Sequence, residues 1–152
     1  DSFNANFNDV MKQKLEDLDG YTIREVIIIA SMIEKETAND LESFTVSSVI
    51  YNRLNKPYEY PYLNIDATIV YALGGKSDLT AEDLLIEHPY NTYNNKGLPP
   101  GPISSPSQNS IGAALDPEET GYYFYAFDPS TGEHHFSKTY KEHLDFLASL
   151  GR

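Results

Sequence analysis

Apolar residues recur at helical spacing in several separate stretches of the chain, and the most apolar of these follows Thr22. At about 100° per residue, Ile23 and Ile29 fall in one broad apolar arc of this helix, and Ser31 lies on a narrow polar strip. Thr22 and Glu25 have the spacing of a capping box, which predicts a helix over residues 22–37. The remaining predicted helices cover residues 6–18, 41–55, 66–73, 80–85, 107–115 and 140–150.

A small sheet is predicted between the helices. Residues 122–128, YYFYAFD, form the best strand, and the turn over 129–132 leads into 134–137 to give a hairpin. Residues 57–65 are aromatic and extended, but two prolines limit them to an edge strand or a ribbon. This order of elements predicts the α+β class, not an alternating βαβ fold.

Residues 86–107 form a long segment with five prolines and no periodicity. Loops of that length in a compact domain are usually functional or disordered. Tyr90, Tyr93, Leu98 and Ile103 favour packing, and therefore a functional loop.

Composition narrows the function classes. The chain has 152 residues, a net charge of −12 and no cysteine. That length fits one domain, and the charge would repel nucleic acid and anionic membranes. The absence of cysteine excludes disulfides, thiol catalysis and Cys-ligated zinc. Twelve tyrosines favour ligands that bear hydroxyl groups.

The histidines and serines do not form a recognisable metal site or nucleophile. There is no G-x-S-x-G motif, and His134, His135 and His143 match no common metal-ligand spacing. Adjacent strand residues face opposite ways, so at most one of His134 and His135 points into a site. We therefore expect structural histidines, no metal and no cofactor.

The remaining candidates for catalytic residues are carboxylates, which can act as general acids or bases. Glu34 projects into the apolar arc, where burial would raise its pKa toward the range useful for proton transfer. A surface glutamate just past the last buried turn is the alternative. Glu36 lies on another side of the helix, Glu42 is interpreted as a helix-start charge, and Asp66 as an N-cap.

Several ordered motifs resemble the YceG-like family, the endolytic murein transglycosylases called MltG. The resemblance spans roughly residues 25–145. Ala67 and Ser47 depart from it, because the family usually has proline and alanine at these positions. The motifs are IASMIEKET (29–37), VSSVIYNRL (46–54), DATIVYAL (66–73), YNTY (90–93), GLPPGPI (97–103), AALDP (113–117) and the stretch 134–138.

This resemblance implies a mostly helical, lysozyme-like catalytic domain that cuts peptidoglycan strands internally. The product would carry a 1,6-anhydro-N-acetylmuramic acid end, with Glu34 acting first as general acid and then as base. The choice between Glu34 and Glu36 rests partly on the resemblance. Residues implied to contact or position substrate are Glu36, Glu42, Asp66, Tyr90, Asn91, Thr92 and Tyr93, and the GLPPGPI loop is expected to shape the groove wall.

The resemblance also implies a setting. Residues 1–152 would be a single catalytic domain of a longer, membrane-anchored protein on the extracytoplasmic face of the bacterial membrane. Its partners would be glycan strands and the wall-synthesis machinery. Two alternatives stay open: a muramidase-type hydrolase in which Asp66 or Glu42 is the second carboxylate, and a peptidoglycan-binding module without turnover.

Overall fold

The protein is described by a computed structural model that covers residues 2–37, 39–76 and 78–152. The described part contains helices and one antiparallel hairpin, so the predicted α+β class is confirmed. The elements are α1 (Ser2–Asp17), α2 (Ile23–Glu36), α3 (Ser43–Leu54), α4 (Asp66–Ala72), a 3₁₀ turn (Asp83–Leu85), α5 (Gln108–Leu115), β1 (Phe124–Asp128), β2 (Glu133–Ser137) and α6 (Tyr140–Ser149). None of the helices in these ranges is both long and apolar enough to cross a membrane.

Helix α2 begins at the predicted capping box. The Glu25 amide donates to Thr22 Oγ1 at 3.1 Å, and the Thr22 amide donates to Glu25 Oε1 at 2.9 Å. Two otherwise unpaired amides at the helix start are satisfied in this way. At the other end the Thr37 amide still bonds to the Ile33 carbonyl, so the helix stays regular up to Glu36.

The predicted one-sided arc of α2 is wrong, because α3, α4 and α5 surround this helix. Ile23 is 66 % exposed, whereas Ser31, assigned to the polar strip, is fully buried. A helix that is buried all round has no single apolar face, so periodicity cannot identify its neighbours. Ser31 tolerates burial because its hydroxyl donates to the Ile28 carbonyl at 2.6 Å and accepts from the Ile103 amide at 3.0 Å.

Two predicted element boundaries also differ. Helix α3 starts at Ser43, about one half-turn later than expected, after Asn39 Oδ1 accepts from the Glu42 amide at 3.0 Å. In α4 the N-cap is Ile65, and Asp66 is the first helical residue. The Asp66 carboxylate therefore does not cap its own helix and is available to other groups.

Of the two alternatives predicted for residues 57–65, the edge strand is wrong, since the hairpin is the only sheet in the described residues, and the ribbon is left. The carbonyls that a neighbouring strand would have bonded are instead bonded by Arg53, near the end of α3. Its Nη1 donates to the carbonyls of Tyr62 (3.0 Å) and Leu63 (2.9 Å), and its Nε donates to the Tyr123 carbonyl at 2.8 Å. One buried guanidinium thus connects α3, this segment and the hairpin.

The hairpin pairs Tyr125 with Phe136 and Phe127 with His134. Because side chains alternate along a strand, these four share one face of the hairpin. Helix α6 packs against the opposite face, where the His135 ring stacks on Phe146 at 4.0 Å between centroids.

We predict that Ser31→Ala destabilises the fold by about 1–3 kcal/mol, because the buried Ile103 amide loses its acceptor. Urea denaturation measures the change. Ser149→Ala is the matched control: its hydroxyl also donates to a carbonyl three residues back at 2.6 Å, but it is exposed and holds no second segment. Equal effects of the two substitutions would contradict the linking role of Ser31.

Candidate functional site

A cleft of about 470 Å³ opens between the end of α2, helix α3, the start of α4, the hairpin and α6. Aromatic rings and titratable groups line it together, as is common in sites that bind and process sugars or similar polar ligands. Its polar and titratable lining includes Glu36, Arg53, Asp66, Tyr93, Tyr125, His134 and His143.

Glu36, the last residue of α2, is the acid that the fold brings into this cleft. Its Oε1 accepts a hydrogen bond from the Ala67 amide at 3.1 Å. Burial raises the pKa of Glu36, and the neighbouring Asp66 charge adds to the rise; the Ala67 amide, His134 and Tyr125 act in the opposite direction without cancelling it. A buried carboxyl with a raised pKa in a cleft is a strong candidate for acid–base chemistry.

Glu34, the predicted acid, lies elsewhere. Its Oε1 accepts from the Ser107 amide at 2.7 Å and from Ser110 Oγ at 3.1 Å, at the start of α5, and it does not line the cleft. These bonds, the Ser107 amide first, lower the pKa of Glu34. The expectation that an apolar wall raises its pKa is therefore wrong. The helical periodicity placed Glu34 in the apolar arc, but hydrogen-bond donors from the start of α5 bind its carboxylate there.

Asp66 and Tyr93 meet at the cleft. The Tyr93 hydroxyl donates to Asp66 Oδ1. Burial and then the Asp66 carboxylate raise the pKa of Tyr93, so its phenol keeps its proton and acts as a donor. The loop and the first turn of α4 thus hold one acceptor and one donor beside Glu36.

The other three residues of the YNTY motif do not line the cleft. Asn91 is fully buried, and its Nδ2 donates to the Leu84 and Ile86 carbonyls. Thr92, also buried, accepts from the Ile65 amide through Oγ1 at 2.9 Å. Their polar groups are already satisfied, so the expected direct contact with substrate is replaced by a role in holding the loop that carries Tyr93.

Tyr90 lies on the side of the GLPPGPI loop. Its ring packs against Tyr71 at 4.9 Å between centroids, and a Cβ at Gly101 would lie 2.8 Å from its hydroxyl. A residue larger than glycine at position 101 would therefore require the Tyr90 hydroxyl to move. Residues 97–103 pack on the core and do not line the cleft, so the groove-wall role expected for this loop is not supported.

Glu42 reaches the cleft only through His134. Its Oε2 lies 2.7 Å from His134 Nδ1, and its Oε1 accepts from the His134 amide at 2.5 Å. Both side chains are buried. Glu42 lies at the helix start, as predicted, since it is the N-cap residue of α3, but its carboxylate pairs with His134 and does not cap the helix. The predicted alternation of the two histidines is confirmed, with His134 facing the cleft and His135 stacked on the other side.

Arg53 and Tyr125 are among the lining residues that have no counterpart among the sequence candidates. Arg53 lies over the rings of Tyr60 (5.2 Å) and Phe124 (5.1 Å). Burial raises the pKa of Tyr125, and the neighbouring Glu36 carboxylate adds to the rise. The alternation of the YYFYAFD strand places Tyr125 on one face, but no sequence signal says that this face meets Glu36.

Comparisons with known proteins agree on one family. Residues 1–148 match the model of the YceG-like family. The chain is 43 % identical over 124 residues to an endolytic murein transglycosylase of Bacillus subtilis (strain 168), and 34 % identical over 128 residues to one of Streptococcus pneumoniae serotype 2. A crystal structure of a yceG-like protein from Listeria monocytogenes superimposes with a TM-score of 0.82 at 38 % identity, over 95 % of this chain.

These relatives are longer than the chain described here. The matches cover 80 % of this chain but only 33 % of the Bacillus protein and 23 % of the Streptococcus protein. The chain also covers 46 % of the Listeria structure.

The two glutamates of α2 predict opposite effects on stability. The folded-state pKa of Glu36 is raised above its ordinary value of 4.5. Between the two values the folded chain binds more protons, so the free energy of unfolding falls as pH rises through this window. Glu36→Gln cannot ionise, so we expect it to be more stable than wild type at neutral pH and to show no such gain below pH 4.

For Glu34 the sign is reversed. Its pKa is lowered on folding, so its contribution is present above the ordinary value of 4.5 and is lost as pH falls through the lower folded value. Glu34→Gln should therefore be less stable than wild type at neutral pH, with the difference shrinking in acid. Urea unfolding across pH measures both variants, and shifts of the same sign would contradict the assigned environments.

Proposed function

Because this chain belongs to the YceG-like family, we propose that it is a catalytic domain that cuts peptidoglycan strands internally, as an endolytic murein transglycosylase. The observation that supports this best is Glu36: one carboxyl with a raised pKa in an aromatic-lined cleft. A lytic transglycosylase can work with one such group, whereas hydrolysis normally needs two carboxyl groups about 5–9.5 Å apart.

In the proposed reaction Glu36 begins protonated. It gives its proton to the glycosidic oxygen as the bond from N-acetylmuramic acid C1 to that oxygen breaks. The N-acetylglucosamine end leaves as an alcohol, and positive charge develops at C1. The Glu36 carboxylate then removes the proton from the C6 hydroxyl as O6 attacks C1. This closes the 1,6-anhydro ring, restores the acid and consumes no water.

A raised pKa serves both halves of this reaction. A carboxyl that is protonated near the working pH can donate to the leaving oxygen, and its conjugate base is strong enough to accept from the C6 hydroxyl. The Asp66 carboxylate contributes to that pKa. It also places negative charge where it can stabilise the positive charge that develops at C1.

The substrate and setting follow the same proposal. The partner is the glycan strand of peptidoglycan, a ligand rich in hydroxyl and acetamide groups that suits the tyrosines of the cleft. The site of action is the extracytoplasmic side of the membrane, where the cell wall lies. Contact with wall-synthesis proteins and a membrane anchor in a longer protein are part of the same proposal.

A hydrolase remains the second candidate, because Asp66 lies close enough to raise the pKa of Glu36. It would use Asp66 as the second carboxylate and leave a reducing N-acetylmuramic acid end. Product chemistry separates the two candidates.

We predict that this chain converts uncross-linked glycan strands into internal fragments with 1,6-anhydro ends. Glu36→Gln should lower the rate by about 10²–10⁴-fold, because it removes the titrating proton and keeps the shape. Mass spectrometry of the digests identifies the ends. Glu34→Gln, two residues away on the same helix, is the matched control and should retain activity at a temperature where it is folded.

Three results would contradict the proposal. Reducing-end products would establish the hydrolase. Loss of activity in Glu34→Gln with full activity in Glu36→Gln would return the acid to Glu34. Wild-type chain that binds strands without cutting them would favour the binding module.

A further inference from the structure

Glu42 directs both of its carboxylate oxygens at a single residue. Oε1 accepts from the His134 backbone amide, and Oε2 lies 2.7 Å from His134 Nδ1. The side chains are only 10 % and 7 % exposed. Burying a carboxylate is costly in free energy unless it is well paired, so the bonds to His134 are what make the burial of Glu42 tolerable.

The pairing fixes which nitrogen of the neutral imidazole carries the proton. An ionised carboxylate only accepts hydrogen bonds, so Nδ1 must be the donor. The other nitrogen, Nε2, is then an acceptor with a lone pair. It has no hydrogen-bond partner in the described ranges and is not among their enclosed, unsatisfied atoms.

Neighbouring groups keep the His134 ring in place. The rings of Tyr125 and Phe127 meet it edge-on, each at 5.5 Å between centroids. The backbone amide of the same residue is held by the same carboxylate, so the ring cannot shift along the strand without breaking both bonds. His134 lines the same cleft as Glu36.

We propose that His134 contacts the substrate, its Nε2 accepting a hydrogen bond from a hydroxyl or amide N–H of the sugar bound beside Glu36. Glu42 is the positioning residue that sets the tautomer and orientation of this imidazole. The identity of the ligand as a glycan strand rests on the proposed function. Through His134 the hairpin thus adds a polar side chain to the cleft that Asp66 and Tyr93 also line.

His135 provides an internal comparison. It lies on the same strand, but its ring stacks on Phe146 outside the cleft at 4.0 Å, and no described carboxylate makes a hydrogen bond to it. The surroundings of His135 are those expected of a histidine that only packs against its neighbours. His134 instead combines a fixed tautomer with a free nitrogen that faces the cleft.

Nitrogen-15 NMR of histidine-labelled chain tests the tautomer directly. When the His134 ring is neutral, we expect the proton on Nδ1 and none on Nε2. In Glu42→Gln the amide oxygen can keep the backbone N–H, which turns the amide NH₂ toward Nδ1 and moves the ring proton to Nε2. A wild-type ring protonated on Nε2, or a variant ring with an unchanged tautomer, would overturn the positioning role of Glu42.

Binding is tested in the Glu36→Gln background, where strands are not cut. Uncross-linked glycan strands should shift the Nε2 resonance of His134 and leave that of His135 unmoved. Adding His134→Asn should weaken binding by about 10-fold or more, whereas adding His135→Asn should not. An unmoved His134 resonance on saturation, or equal weakening by the two substitutions, would overturn the proposal.

Turnover separates this inference from the proposed function. In the otherwise wild-type chain, His134→Asn and Glu42→Gln should lower kcat/KM by about 10- to 100-fold, with thermal unfolding monitored to confirm that each variant is folded. His134→Gln, which can place an oxygen near the Nε2 position, should recover part of the loss. If wild type shifts the Nε2 resonance with strands but makes no anhydro ends, the contact stands and the proposed reaction fails.

Discussion

Helix α2 is enclosed by the rest of the protein, and the position of every group in the cleft depends on that enclosure. Residues Ile28–Ile33 are all buried, so the final turn of the helix is held by the core and not by solvent-exposed contacts. Side chains that leave this turn therefore have fixed directions. Glu34 meets the start of α5, and Glu36 meets the start of α4, which separates the two carboxyls although they are two residues apart.

The contrast between these glutamates is electrostatic. Both carboxylates accept a backbone N–H at a helix start, which favours the ionised form. Glu34 receives a further donor from Ser110 and remains near solvent, so its pKa falls. Glu36 is enclosed and lies beside Asp66, so its desolvation outweighs the single amide and its pKa rises. Identical residue types thus acquire opposite roles from burial and neighbours.

Local signals in the sequence predicted local structure well. The capping box of Thr22 and Glu25 depends on residues within one turn, and the hairpin depends on alternation across a short turn. The strand assignment at 57–65 failed because Arg53, from another element, satisfies carbonyls there.

The site was predicted only in part for the same reason. The resemblance placed Asp66 and Tyr93 at the cleft, and it included Glu36 among the substrate contacts. Periodicity and the family motif both placed the acid at Glu34, because neither shows that the start of α5 reaches that side of α2. Glu42 and His134 are 92 positions apart, so the local sequence pattern around either residue could not predict their pairing.

The three hydrogen bonds from Arg53 to backbone carbonyls affect the order in which the cleft is completed during synthesis of the chain. One wall of the cleft is made by residues 62–66 and another by the hairpin, and the same guanidinium fastens both. A nascent chain that ends before Tyr123 can build α2 and present Glu36, but it lacks the wall that carries Tyr125 and His134. The cleft is therefore completed only by the last fifth of the chain, and shorter chains carry Glu36 without the hairpin that lines this cleft.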